Sequence, residues 1–225
     1  TYQRPENYDF LLTLLKTIDV IKNQNLNINS SSLKNKLGQF KTRKLYKALK
    51  NIKPHVSYDM FKTKTGRLTT IKNSFPILTL DKSHRSILEP NNDWFIELDF
   101  NAAELRTLLA LSGKRQPTED LHEWNMKNVY NNTLNRKEAK ERVFAWLYNQ
   151  RSNDYFLSRA YDREIVKNKF WDGENVKTIF DRQIPADGDH ALNYIIQSTT
   201  SDLFLKRMIK IDEILKDKAT TIAFS

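Results

Sequence analysis

Four side chains with complementary chemistry recur at intervals of four: Arg136, Lys140, Phe144 and Tyr148. In an α-helix a step of four residues exceeds one full turn by about 40°, so these side chains would form one slowly winding stripe. The two cations would lie at the N-terminal end, where the helix dipole and free N–H groups also favour anions. The spacing suits a triphosphate followed by a base, but an ordinary amphipathic helix with its charges outside explains it equally well.

A lone carboxylate forms the second candidate. Residues 94–100 are mostly aromatic and branched, which is typical of a buried strand, and leucines at helical spacing follow them. Asp99 lies at the joint, where a strand can hold a metal ion at its C-terminal end. A purely local alternative makes Asn101 the helix N-cap and Glu104 its capping-box partner. That alternative leaves Asp99 unexplained.

Three further polar groups have weaker patterns. Arg67 follows a glycine in a predicted turn, and His122 lies at the start of a predicted helix behind Asp120. Asn193 and Gln197 are four residues apart, so they share a helix face. Taken alone, each pattern also fits a structural or solvated side chain.

Hydrophobic periodicity predicts the elements that carry these residues. Residues 1 to about 22 are predicted to be helical, and residues 23–32 to form a loop. Asn135 and Glu138 predict a capping box that starts the helix of the stripe. A turn near Gly173 precedes residues 176–180, a candidate for half of a hairpin. A long helix is predicted from Ala191 to about Lys216, and a strand at 220–225.

The composition indicates a folded protein with a polyanionic partner. The 225 residues contain 37 Lys and Arg against 27 Asp and Glu, a net charge of +10. This surplus favours nucleic acid over membrane as a partner, although a merely basic surface is the simpler alternative. The absence of cysteine excludes disulfides and thiolate zinc sites. No apolar run reaches the roughly 20 residues that span a bilayer. Residues 33–52 form a basic amphipathic stretch, either a solvated helix face or a contact with a nucleic-acid backbone.

Several of these segments resemble family A DNA polymerases, the family of bacterial DNA polymerase I and many phage replicases. Residues 98–106 (Leu-Asp-Phe-Asn-Ala-Ala-Glu-Leu-Arg) resemble motif A, and residues 136–149 resemble motif B, with Ala145 and Asn149 in place of two glycines. The segments Thr-Gly-Arg-Leu at 65–68, Asp-Leu-His at 120–122 and Asn-x-x-x-Gln at 193–197 occur in the family's order. The resemblance covers residues 57 to 225.

The resemblance implies an α+β fold, helix-rich overall, with an antiparallel palm sheet and a helical fingers subdomain. It divides the chain into an N-terminal helical segment (1–56), a palm part with motif A (57–112), fingers with motif B (113–188), and a palm return helix with the start of the next strand (189–225). In the family that strand leads into motif C, which supplies the second catalytic carboxylate. Motif C is expected to lie beyond Ser225.

The implied function is template-directed DNA synthesis, in which a primer 3′-hydroxyl attacks the α-phosphate of a deoxynucleotide with the help of two Mg²⁺ ions. By resemblance, Asp99 is catalytic and binds metal together with the backbone carbonyl of Phe100. The implied nucleotide-binding residues are Glu104, His122, Arg136, Lys140, Phe144 and Tyr148. The implied DNA-binding residues are Arg67, Asn193 and Gln197.

The implied partners are primer–template DNA, deoxynucleotides, and the remainder of a polymerase or its accessory proteins, with no membrane. The expected location is the cytoplasm of a bacterial or phage-infected cell. Two alternatives stay open. A non-catalytic remnant would bind DNA without extending it and would be indifferent to Asp99→Ala. An unrelated basic helical nucleic-acid-binding protein would show no nucleotide-dependent tightening on DNA.

Overall fold

A computed structural model describes residues 3–149, 151–216 and 218–224 of the chain. The chain forms two compact units. The first unit comprises Thr1–Thr63, Leu68–Glu97 and Phe204–Ser225. The second comprises Lys64–Arg67 and Leu98–Leu203.

Helices dominate the described residues, and the strands are short. The helices are α1 (Tyr8–Lys22), α2 (Ser31–Lys34), α3 (Phe40–Leu49), α4 (Ala103–Leu111), α5 (Leu121–Trp124), α6 (Arg136–Tyr148), α7 (Tyr155–Ala160), α8 (Arg163–Phe170) and α9 (Ala191–Leu215). A π-helical turn at Asn125–Val129 continues α5, and two 3₁₀ turns occupy Ile77–Thr79 and Lys82–Ile87. The strands are β1 (Asn27–Ile28), β2 (Tyr58–Asp59), β3 (Thr69–Thr70), β4 (Leu88–Glu89), β5 (Asn175–Lys177) and β6 (Gln183–Pro185).

The strands form antiparallel pairs, so the described fold is α+β and helix-rich. β1 pairs with β4, β2 with β3, and β5 with β6. The β5–β6 hairpin confirms the hairpin predicted after Gly173, with Val176 opposite Ile184, although its first strand ends at Lys177 rather than Phe180. The helices predicted towards both ends of the chain are also confirmed as α1 and α9, although α1 begins only at Tyr8. Thr1 and Tyr2, which the prediction included in the first helix, lie outside the described residues.

Each unit has its own apolar core. In the first unit α1 contributes Leu14, Ile18 and Ile21 at helical spacing, and they belong to one buried cluster with Phe75 and Ile87. In the second unit, leucines of α4, the inner face of α6 and the start of α9 form another cluster. That inner face consists of Ala139, Val143, Trp146 and Leu147, all of them buried.

The strand predicted over residues 94–100 is not formed. This segment has no regular secondary structure, has no strand partner within the described ranges, and exposes every residue. Trp94 is 80% exposed and Ile96 73%. A strand is stabilised by the neighbour to which it hydrogen-bonds, and apolar side chains cannot supply that neighbour themselves. The prediction that Asp99 ends a buried strand was therefore wrong.

Residues 220–224 also form no strand; Ser225 lies outside the described residues. The physical reason is a side chain that takes the place of a strand partner. The Tyr58 hydroxyl accepts a hydrogen bond from the Phe224 N–H at 2.7 Å and donates one to the Phe224 carbonyl. Both backbone groups of Phe224 are thus satisfied without a ladder. Burial raises the pKa of Tyr58, which keeps this hydroxyl protonated as a donor.

No helix in the part of the chain that the structure describes is both long enough and apolar enough to cross a bilayer.

Candidate nucleotide-binding site

The stripe of α6 begins at a well-defined helix end. The Asn135 side chain accepts a hydrogen bond from the Glu138 N–H at 3.0 Å, and the Glu138 carboxylate accepts one from the Asn135 N–H at 2.9 Å. The capping box predicted at this place is confirmed. Because it fixes Arg136 as the first helical residue, it also fixes which side chains share the outer face.

The outer face of α6 carries a continuous row of contacts. The rings of Phe144 and Tyr148 stack in nearly parallel planes, 7° apart, with centroids at 5.9 Å. The Lys140 ammonium lies 5.7 Å from the Phe144 ring centre, a favourable cation–π distance. Both rings are half-buried, whereas Lys140 is exposed. The predicted stripe thus runs from an accessible cation to a pair of stacked rings.

α5 adds His122 to this row. The helix predicted to start at Asp120 is confirmed as α5, and Asp120 caps it by accepting a hydrogen bond from the Glu123 N–H at 2.9 Å. His122 is only 5% exposed, and its ring lies 5.9 Å from the Phe144 ring. Its Nδ1 atom has no hydrogen-bond partner among the described residues. Because this atom is fully buried, a ligand could pair with it only after His122 or its neighbours moved.

The environment of His122 keeps its imidazole neutral. Burial is the main cause that lowers the pKa of His122, and the Lys140 and Arg136 cations lower it further, against the opposing effect of Asp120. A neutral imidazole carries one N–H donor and one acceptor. His122 could therefore contact an anion by a hydrogen bond rather than by charge.

Arg136 is held by a carboxylate. Its Nη2 donates to Asp120 Oδ2 at 2.7 Å, and its Nε lies 3.3 Å from Asp120 Oδ1. The Arg136 guanidinium is the main reason that the pKa of Asp120 lies far below its usual range. The Arg136 side chain is still 49% exposed. An incoming phosphate would therefore have to share this guanidinium with Asp120 or displace it.

Asn101 joins the starts of α4 and α5. Its side-chain Nδ2 donates to Asp120 Oδ2 at 2.7 Å, and its side-chain Oδ1 accepts from the Leu121 N–H at 3.0 Å. Arg106 donates to Asn101 and to two carbonyls of the loop before Asp120. The local alternative made Asn101 the N-cap of α4, and this prediction was wrong. That position is Ala102, in the left-handed conformation with φ 49° and without a side-chain cap, because the Asn101 side chain is used elsewhere.

Glu104 and Arg67, predicted for the nucleotide and for DNA respectively, bind each other in a salt bridge. The Glu104 carboxylate is mostly buried. Burial raises the pKa of Glu104, and the positive charge of Arg67 only partly opposes this effect. The structure thus brings these two predicted residues into direct contact, and a ligand of either side chain would have to share it with the other residue.

A second ion pair, which no sequence pattern predicted, fixes the loop of Arg67. Arg182 donates to both carboxylate oxygens of Asp202, at 2.7 and 3.1 Å, and the Asp202 side chain is only 7% exposed. The guanidinium lies against Gly66, so that a Cβ at this residue would come within 2.4 Å of it. Gly66 also has φ +75°, which favours glycine. No sequence pattern singles out Asp202, because the four residues before it in α9 are serines and threonines.

The remaining predicted residues lie on α9 and at the junction before α4. Asn193 and Gln197 are half-buried on α9, and neither amide hydrogen-bonds within the described ranges. Asp99 and Phe100 are exposed, and Asp99 has no ion pair among the described residues. No three His, Asp or Glu side chains in the described part of the chain come together in a group that could hold a metal ion.

Comparison with known proteins gives no family for this chain. No protein-family model matches it, and no curated protein matches it significantly.

Proposed function

We propose that this chain carries the nucleotide-binding part of a template-directed DNA polymerase of the family A type. The observation that carries the proposal is the row formed by Lys140, Phe144 and Tyr148 with His122 beside it. The Lys140 cation could bind a phosphate, and the neutral His122 imidazole could hydrogen-bond to it. The stacked rings of Phe144 and Tyr148 could pack against a base. The order of the five resembling segments along residues 57–225 supports the same function.

Triphosphate binding would fall to Lys140, Arg136 and His122. Lys140 is exposed and makes no ion pair within the described ranges, so its charge is available. Arg136 is 49% exposed and donates two hydrogen bonds to Asp120, so a triphosphate would have to compete with this pair. A triphosphate carries more charge than one carboxylate and could displace Asp120 from Arg136. Positive groups around the leaving pyrophosphate would stabilise the charge that develops there.

Glu104 and Arg67 would act as a linked pair. By resemblance, Glu104 lies beneath the sugar of the nucleotide and Arg67 contacts the minor groove of the primer–template. Their salt bridge would hold both side chains in place before either ligand arrives. The Gly66–Arg182–Asp202 contact would position the loop that carries Arg67.

Asp99 is the residue that we propose for magnesium. Mg²⁺ in proteins is often held by one or two carboxylates together with waters and substrate phosphates. An exposed carboxylate without an ion pair in the described ranges fits that donor set, and the Phe100 carbonyl would add to it. When bound, the ion would supply charge neutralisation and would lower the pKa of the attacking hydroxyl. The expected location of such an activity is the cytoplasm of a bacterial or phage-infected cell.

The test compares two lysines on the same helix. Lys140 lies in the stripe, whereas Lys137 is exposed next to Glu141, 3.9 Å away. Binding to a fluorescent primer–template is measured by anisotropy with Mg²⁺ and either the matching or a mismatched deoxynucleotide. The matching nucleotide should tighten wild-type binding. Lys140→Gln should weaken this tightening about tenfold or more, because it removes a hydrogen bond from a charged group to the triphosphate. Lys137→Gln should retain the tightening.

Primer extension by the same protein, beside Asp99→Ala, completes the test. Extension that Asp99→Ala abolishes supports polymerase activity. Matched tightening without extension supports nucleotide binding, and it is the result expected both from a polymerase that needs a further catalytic carboxylate and from the non-catalytic remnant. Equal effects of the two lysine variants, or no tightening in the wild type, would contradict the proposed site and leave an unrelated nucleic-acid-binding protein.

A further inference from the structure

α3, in the first unit, has two faces of opposite character. One face carries Thr42, Leu45, Tyr46 and Leu49; Thr42 is buried, and the three larger side chains pack against the core of this unit. The opposite face carries Phe40, Arg43, Lys44 and Lys47 at i, i+3, i+4 and i+7, and all four are exposed. We refer to these four residues as the α3 outer stripe.

The positive charge of the α3 outer stripe is not neutralised within the described part of the chain. Arg43, Lys44 and Lys47 make no ion pair there, whereas Lys41, which lies outside the stripe, pairs with Asp81 at 3.8 Å. The sequence contains no Asp or Glu between Asp19 and Asp59. Three cations without such partners on less than two turns of helix attract a polyanion.

Phe40 adds a feature that charge alone does not explain. Its side chain is 76% exposed at the N-terminal end of the stripe. Along the helix axis, Phe40 and Lys47 are separated by about 10 Å. An exposed aromatic ring beside a row of cations is the combination that binds unpaired nucleic acid, because bases stack on the ring while the cations contact the backbone.

We propose that the α3 outer stripe binds single-stranded DNA, with a base on Phe40 and the backbone along Arg43, Lys44 and Lys47. A duplex would use the cations, but it would offer Phe40 a base face only at its ends, because the internal bases are stacked on one another. Membrane insertion is disfavoured because the apolar side of α3 already packs against the core.

The surface lies in a different unit from the candidate nucleotide-binding site. Only the choice of DNA rather than RNA rests on the proposed function, in which an unpaired template strand must be handled. Binding to an oligonucleotide in the absence of nucleotide and metal therefore tests the stripe separately. A failure here leaves the Lys140 experiment unaffected.

The first experiment removes the charges. Anisotropy measures binding of a fluorescent thymidine 12-mer to wild-type protein and to the triple variant Arg43→Gln/Lys44→Gln/Lys47→Gln. The matched control, Lys16→Gln/Arg207→Gln/Lys210→Gln, removes the same charges from exposed positions of α1 and α9. The α3 variant should bind more than about tenfold more weakly at 50 mM salt, and its log–log salt slope should fall by about 2, or about 0.7 for each lost contact.

The second experiment removes the ring. Phe40→Leu keeps an apolar side chain but offers no flat face for stacking, and it should weaken binding about fivefold or more. Phe61→Leu is the matched control, because Phe61 is 83% exposed in the same unit but lies outside α3. Both positions are exposed, so both variants should fold, which circular dichroism verifies.

The remaining arms use a blunt duplex, a uridine 12-mer and anionic phosphatidylserine vesicles. Single-stranded DNA should bind most tightly, and Phe40→Leu should leave duplex binding unchanged. The proposal is overturned if the charge control weakens binding as much as the α3 variant does, or if Phe40→Leu and Phe61→Leu behave alike. It is also overturned if duplex, RNA or vesicles bind better than the DNA strand.

Discussion

Residues 120–148 and residues 94–100 differ in how their side chains are held. In the first region the site residues have neighbours that fix them: Asp120 caps α5, Asn135 caps α6, and His122 packs on Phe144. In the second region all residues are exposed, and Asp99 has no ion pair within the described part of the chain. Local caps, the buried face of α6 and the contacts of Asn101 with Asp120 and Leu121 therefore hold the first region together. The second lacks the neighbouring strand that a β-strand needs for its stability.

The largest expected effect tests this difference in packing by making the same substitution in both regions. Trp146 is fully buried in the core of the second unit, whereas Trp94 is largely exposed. Trp146→Ala should lower the free energy of unfolding by about 3–5 kcal/mol, because it leaves a cavity. Trp94→Ala should change it by less than about 0.5 kcal/mol. Urea denaturation followed by circular dichroism measures both.

A comparable loss in the two tryptophan variants would mean that residues 94–100 are packed in solution. The contrast between the regions would then be wrong.

The second prediction concerns Gly66, which the Arg182 guanidinium contacts closely. Gly113 has nearly the same φ, +71° against +75°, but no described atom lies within 4 Å of the position that a Cβ would occupy there. Gly113→Ala should therefore cost only the conformational strain, about 1 kcal/mol. Gly66→Ala should cost at least about 1 kcal/mol more in unfolding free energy, because the Arg182–Asp202 pair must also move.

The double variant Gly66→Ala/Arg182→Ala distinguishes the two causes for Gly66. If the clash explains the excess, Gly66→Ala should cost less in an Arg182→Ala background than in the wild type. An unchanged cost would show that strain alone is responsible.

The sequence predicted best those features that depend on near neighbours. The helix of the stripe, its capping box and the start of α5 all follow from residues within four positions of one another. The Arg182–Asp202 pair, separated by 20 positions, and the salt bridge of Arg67 with Glu104 were not predicted, because they depend on tertiary packing. The strand at 94–100 was predicted from hydrophobicity alone, and hydrophobicity does not supply a partner strand.

The third prediction compares Asn135, which caps α6, with Asn101, which joins the starts of α4 and α5. Asn135→Ala should destabilise the protein by about 1 kcal/mol, and Asn135→Ser should restore most of that, because serine also caps helices. Asn101→Ser should still cost about 1–2 kcal/mol, because one short hydroxyl would replace two separate atoms of the Asn101 amide, the nitrogen that donates to Asp120 and the oxygen that accepts from the Leu121 N–H. If serine is tolerated equally at both positions, Asn101 acts as a cap after all. Thermal denaturation of the four variants, including Asn101→Ala, provides the measurement.

The smallest expected effect is a pH dependence of the free energy of unfolding that arises from His122, in residues 120–148. A histidine in an unfolded chain titrates near pH 6.5, and burial of His122 lowers its pKa in the folded protein. As the pH falls below about 6.5, the unfolded chain therefore takes up the proton first, and the free energy of unfolding declines. The decline ends once the pH is below the folded-state pKa.

NMR titration of the His122 imidazole should give a midpoint below about 6.5. Lys140→Gln should raise that midpoint, because it removes a nearby cation that lowers the pKa. His122→Gln should remove this part of the pH dependence of unfolding, whereas Asp99→Asn should change the free energy of unfolding by less than about 0.5 kcal/mol. A midpoint at or above about 6.5 would mean that the ring is hydrated or faces Asp120 more closely than Lys140. His122 would then meet a phosphate as a cation, and the contact would weaken as the pH rises.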